Sequence, residues 1–272
     1  MVWTKHPRHF MVLTTFILLE FVTTLGFLTT AQTQAKTSNQ ILGDRQLKGA
    51  TFEPRKDQPA PTLTVGGGRR NNNKCPQDRP ASEPLTKTNL LNQRLTPILP
   101  SPLTSLQLTV SAHPTFLVYI PQTNAKSVEF TLVTQDKDNS EKGIYQTTLA
   151  LTSTPSIISI SLPATAPMLE IGKDYKWIVV MACQTGEPTP EDPFVEGLVR
   201  RIQPDSSLSQ LDRAKPLDRV ALYAKSGSWY DAVATLAALR KDQPNNSEVA
   251  SAWKDLLQGV GLDAIANAPL KN

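Results

Sequence analysis

Apolar positions recur every second residue through the middle of this chain and at helical spacing near its end. Leu106, Leu108 and Val110 alternate with polar neighbours, and Phe116, Val118 and Ile120, then Val128, Phe130 and Leu132, keep the same period. Strands with one buried face carry that mark. Further strand-like runs cover 143–151, 156–162, 175–182 and 194–202, each bounded by Pro, Gly, Asn or Asp. Seven short strands across 105–203 predict a β-sandwich. From 209 to 270 the period becomes 3.6. Val220, Leu222 and Tyr223, then Val233, Leu236, Ala237 and Leu239, then Val249, Trp253, Leu256 and Leu257 mark three amphipathic helices. The expected class is α+β, mainly β: a seven-strand sandwich followed by a three-helix tail.

Two local patterns refine this. Leu169, Gly172 and Tyr175 stand at the spacing of a tyrosine corner, in which the phenol bonds back to the backbone just before a core strand. The segment resembles the corner of fibronectin type III and immunoglobulin-like domains, with Ile171 where a proline is usual. In the helical region, residues 221–246 resemble the second half of a tetratricopeptide repeat, with Gly227, Trp229, Ala232 and Pro244 in the places of its Gly, Tyr, Ala and Pro. Only one such unit is present, so it is expected to pack on the sandwich or on a partner. Trp229 and Tyr230 are candidate partner contacts, because adjacent aromatics on a helix do not face one core; burial of both at the sandwich interface is the alternative.

Ahead of the sandwich the periodicity stops. Between Lys36 and Pro102 there are nine prolines and few aromatics, which predicts a flexible linker over 36–104. Within it, Gly66 to Pro76 sets Arg69, Arg70 and Lys74 behind three glycines. No strand leads in and no Lys-Ser or Lys-Thr helix leads out, so a basic linker is expected rather than a phosphate cradle. Residues 1–35 read as a signal peptide: Lys5, His6, Arg8 and His9 precede an apolar run from Phe10 to Leu28, and small residues follow up to Ala35. Glu20 lies within the run, and a carboxylate at the centre of a permanent span costs roughly 2.5 to 3.5 kcal/mol. Cleavage after Ala35, or after Ala31, is therefore expected, with a retained N-terminal anchor as the alternative. Both readings place the remainder outside the cytoplasm, periplasmic or extracellular, with no stable span once the signal is cleaved.

Charge and chemistry narrow the function. Without residues 1–35 the chain holds 26 basic and 23 acidic residues and one histidine, His113. A near-neutral protein lacks the dense basic face that binds nucleic acid. One histidine and two cysteines 108 positions apart make no zinc motif, and His113 before Pro114 reads as a turn residue rather than a catalytic base. No GxSxG, Walker, Rossmann or HExxH pattern occurs. Residues 135–143 (QDKDNSEKG) space Asp136, Asp138 and Glu141 like calcium ligands, but Glu141 stands where an EF-hand requires Gly, so a solvated hairpin loop is expected. Residues 186–193 read as an acidic loop. No cofactor and no metal are expected. In an oxidising compartment Cys75 and Cys183 are expected to pair, against two free thiols or an intermolecular link.

In combination, residues 108–116 (LTVSAHPTF), 154–160 (TPSIISI), 169–183 and 227–232 (GSWYDA) resemble the family called domain of unknown function 928, found mainly in cyanobacteria. The resemblance covers 75–270 and implies an exported location; it supplies no catalytic residues. Three functions follow as expectations. The first is a non-enzymatic binding or scaffold module for an envelope protein partner. The second is a carbohydrate or cell-wall binding sandwich, disfavoured by an aromatic content of 6% concentrated at expected core positions. The third, least supported, is an envelope hydrolase using paired acids such as Glu191 and Asp192, or Glu129 and Asp136.

Overall fold

A computed structural model describes residues 50–64, 74–78, 91–103, 105–135, 140–184 and 188–271. The signal region, Gly66 to Asn73 and Asp136 to Asn139 of the acidic hairpin lie outside the described residues, and so does Gly186 of the second acidic loop. The described residues form a mixed α and β fold within the unit Leu47–Asn272, with two sheets followed by three helices.

Nine strands are present among the described residues. They are β1 (Thr96–Pro97), β2 (Leu106–Thr109), β3 (Thr115–Ile120), β4 (Ser127–Gln135), β5 (Glu141–Ala150), β6 (Ser156–Ser161), β7 (Asp174–Ala182), β8 (Phe194–Arg201) and β9 (Leu270–Lys271). Seven coincide with the periodic runs. The two-residue strands β1 and β9 are too short to generate any period, and they revise the seven-strand expectation. One sheet has the order β1-β3-β6-β9 and the other β2-β8-β7-β4-β5. Most pairs are antiparallel, but β2 runs parallel to β8 and β6 parallel to β9.

The sheets meet through aromatic side chains. Phe116 on β3 lies 5.2 Å from Phe130 on β4 and 5.5 Å from Trp177 on β7, centroid to centroid. Val128, Phe130 and Leu132 are fully buried, as are Trp177, Val179 and Met181, so the period-two faces point into this layer. Gly197 of β8 makes room for Trp177. A Cβ at Gly197 would lie 2.8 Å from the indole ring and 2.6 Å from Leu99.

Helices α1 (Pro216–Lys225), α2 (Trp229–Asp242) and α3 (Ser247–Gly259) follow. Pro216 opens α1 at a position where its missing N–H costs nothing. Asn246 caps α3 by accepting from the Glu248 and Val249 amides. Gly227, at φ +74°, turns the chain between α1 and α2 in a conformation that favours glycine.

Three parts of the expected linker belong to the fold. Leu63, Cys75, Leu95, Ile98 and Leu99 are buried. They fill gaps against strands and helices instead of forming a periodic face, so the sequence reading of 36–104 as flexible linker is corrected at these positions. Cys75 and Cys183 form a disulfide with a Cα to Cα separation of 5.3 Å. Closing a loop of this length stabilises a fold by about 4 to 5 kcal/mol in the chain-entropy model.

Candidate functional site

Helix α2 carries polar chemistry at both ends. At its start, Trp229, Tyr230 and Asp231 enter the space between the sheets. Tyr230 stacks edge-on against Phe116, with centroids 5.2 Å apart. Its hydroxyl accepts from Trp177 Nε1 at 2.7 Å and donates to the Leu198 carbonyl at 3.1 Å. Trp229 Nε1 donates to the Ile98 carbonyl at 2.8 Å. Asp231 accepts from the Val110 amide at 2.9 Å and from Thr109 Oγ1 at 3.2 Å. Burial nevertheless pushes its carboxyl up to about 6, against those hydrogen bonds.

The proposal of Trp229 and Tyr230 as partner contacts is therefore corrected. Both are buried, at 0% and 2% exposure. The two rings diverge: Trp229 meets Phe52 at 4.9 Å, while Tyr230 meets Phe116 and Trp177. Adjacent aromatics can both be buried because elements on two sides enclose the helix start.

At the other end, Pro244 stops the chain from continuing as helix, and Arg240 and Lys241 occupy the last turn, where cations suit the helix dipole. They do not simply point to solvent. Arg240 Nη1 donates to the Ala266 carbonyl at 2.7 Å, and its guanidinium lies 5.4 Å from the centroid of the Trp253 ring. Lys241 Nζ donates to Ser159 Oγ on β6 and to the Lys271 carbonyl on β9, each at 3.0 Å. Together with Pro244, Pro269, Leu270 and Lys271, the two cations line an open cleft of about 520 Å³. Burial lowers the pKa of Arg240, and also that of Lys241, for which the Asp242 charge works in the opposite direction. Partly dehydrated cations converging on an open cleft are suited to hold a carboxylate, sulfate or phosphate group.

The other residues singled out from sequence have structural surroundings. Leu169 is fully buried, Gly172 has φ +80°, and the Glu170 amide donates to the Tyr175 hydroxyl at 3.0 Å. His113 Nε2 donates to the Ala166 carbonyl at 3.0 Å, which ties the turn after β2 to the loop before β7. Asp192 is buried and accepts from the Thr189 amide at 2.8 Å, whereas Glu191 is exposed in the same loop. Glu129 lies on β4 opposite Thr148 and Val180, and its proposed partner Asp136 lies outside the described residues. Glu141 accepts from Lys176 Nζ, an interaction that ties β5 to β7.

Sequence reasoning missed Arg240, Lys241 and Lys271. The first two looked like ordinary basic residues of a helix end, and their meeting with Lys271 depends on the two-residue strand β9. Asp231 was also missed. Its one signal is its place three residues after Ser228, where acidic side chains support helix starts.

No curated protein matches this chain. A family model described as Domain of Unknown Function (DUF928) matches residues 65–270, which include both ends of α2, both cysteines, strands β1 to β8 and the first residue of β9. The chain belongs to that family.

Proposed function

We propose that this protein is an exported, non-enzymatic binding or scaffold module that holds an acidic segment of an envelope protein partner in the cleft of Arg240, Lys241 and Lys271. The observation that carries this reading is one open cleft lined by Arg240 and Lys241 from α2 and by Lys271 from β9. Electrostatic complementarity of this kind selects partners and speeds encounter more than it adds raw affinity. Export rests on the N-terminal pattern, and the disulfide fits an oxidising compartment. We also infer kinship with immunoglobulin and fibronectin III sandwiches, supported by the Tyr175 corner, and with a single tetratricopeptide-like unit, supported by the Gly227 turn.

Mild crosslinking and affinity capture from the native envelope fraction test the function, with wild type and Lys271→Glu side by side. Wild type is expected to capture a reproducible protein that the charge-reversed variant loses at least tenfold. Equal capture by both sinks the assignment of the cleft. Recovery of a glycan polymer in place of a protein transfers the reading to the carbohydrate or cell-wall alternative.

A further inference from the structure

Residues 50–64 cross the surface without any helix or strand of their own, yet they are held to the fold at several points from Phe52 to Thr62. Phe52 sits edge-on to Trp229, and the Glu53 amide donates to the Ala224 carbonyl at 3.0 Å. Arg55 Nη1 reaches Asp205 Oδ2 at 2.8 Å. The backbone here lies against Gly227 so closely that a Cβ at that glycine would come within 3.1 Å of the Arg55 nitrogen and the Glu53 carbonyl oxygen. Further along, Arg200 Nη1 donates to the Pro59 carbonyl at 3.0 Å and Nη2 to that of Ala60 at 3.5 Å. Asp174 Oδ2 accepts from the Thr62 amide at 2.6 Å and from its hydroxyl at 3.1 Å.

Most of these contacts go to main-chain atoms. Recognition of that kind suits any extended peptide, and Pro54, Pro59 and Pro61 keep this one extended at low entropic cost. Arg200 and Asp174 also pair with each other, at 2.6 Å, and their side chains are only 4% and 2% exposed. The remaining donor and acceptor capacity of this buried pair is met by carbonyls of Pro59 and Ala60 on the guanidinium and the Thr62 N–H on the carboxylate, the groups any extended peptide offers. The family match starts at residue 65. Asp174, Arg200, Ala224, Gly227 and Trp229 all lie inside it, and the segment that occupies their groove lies outside.

We propose that this groove is a binding site for an extended, proline-containing peptide. In each copy it is filled by that copy's own residues 50–64, which can be exchanged for the same segment of a second copy. The site is separate from the cationic cleft and does not depend on it.

The test uses the full chain with a specific protease site inserted after Gly67. After cleavage, a labelled peptide of residues 50–64 is added in hundredfold excess and its binding followed by fluorescence anisotropy. Saturable exchange is expected, weakened at least tenfold in peptides carrying Thr62→Pro, which removes the N–H to Asp174, or Phe52→Ala. Absence of exchange, equal binding of both variant peptides, or loss of the folded state on cleavage overturns the proposal. In the intact chain, hydrogen exchange should show the Glu53 and Thr62 amides opening together well before the β7 amides; protection equal to β7 overturns it as well. Sedimentation at rising concentration should reveal dimers that excess peptide disperses, and a chain that stays monomeric overturns exchange between copies.

Discussion

The two ends of α2 place polar groups in opposite circumstances. At the start, Trp229 and Tyr230 are enclosed and half-buried Asp231 is bonded within the fold, so their hydrogen bonds specify how helix and sheets meet. At the end, Arg240 and Lys241 keep part of their surface while their bonds to Ala266, Ser159 and Lys271 hold them in place. Enclosure turns polarity into architecture, whereas the far end sets held cations along an open cleft. Stability should therefore concentrate at the first end and binding at the second.

The largest expected effect comes from breaking the enclosed end outright. Trp229→Ala removes a fully buried indole, leaves the Ile98 carbonyl without its donor and takes away the ring that Phe52 meets. Urea denaturation should show a loss of about 3 to 5 kcal/mol. A loss below about 1 kcal/mol would place the helix start outside the cooperative core.

Asp231 gives the next effect, with a sign that distinguishes enclosure from exposure. Its carboxyl is raised to about 6 in the fold, against about 3.9 in an unfolded chain. Between these values the folded state binds more protons than the unfolded one, so stability falls as pH rises from about 4 to 6. Above that window the penalty is fully present, on the order of 2 to 3 kcal/mol from this group. Asp231→Asn should flatten the slope, although it forfeits one of the two accepted hydrogen bonds. Chemical denaturation at half-unit pH steps checks this, and an identical slope in both proteins refutes it.

Legibility in the sequence follows the same division. Phe116, Phe130 and Trp177 are readable because a strand buries every second residue whatever its partner, while runs such as 156–162 are marked by the turn residues that bound them. The corner at Tyr175 was readable because its spacing is local. Leu63, Leu95 and Leu99 were not, since they fill gaps without belonging to a periodic face. The cleft was hidden for a related reason: Lys271 reaches Lys241 only because β9 pairs with β6, across more than 100 residues of intervening chain. Trp229 and Tyr230 were ambiguous because periodicity assigns a helix one buried face and cannot foresee enclosure from two sides.

A finer cut at the enclosed end is Tyr230→Phe, which keeps the ring and removes only the hydroxyl between Trp177 Nε1 and the Leu198 carbonyl. The orphaned indole N–H should cost about 1 to 3 kcal/mol. The Trp177 fluorescence environment should change with it. A cost near zero would mean that shape alone seats the helix.

At the open end the expected change in stability is the smallest, and the change in binding is the informative one. The Lys271 side chain is exposed, so Lys271→Glu should alter unfolding free energy by no more than about 0.5 kcal/mol. Lys241→Met should cost about 1 kcal/mol more, because it breaks the bonds that join β6, α2 and β9. An anion that occupies the cleft stabilises the folded state by mass action, so sulfate should raise Tm in wild type beyond a sodium chloride control of equal ionic strength. In Lys271→Glu that excess should shrink to near zero, since the introduced carboxylate repels the anion. If both proteins gain equally from sulfate, the stabilisation is a general salt effect and the contrast between the two ends of α2 reduces to a difference in burial.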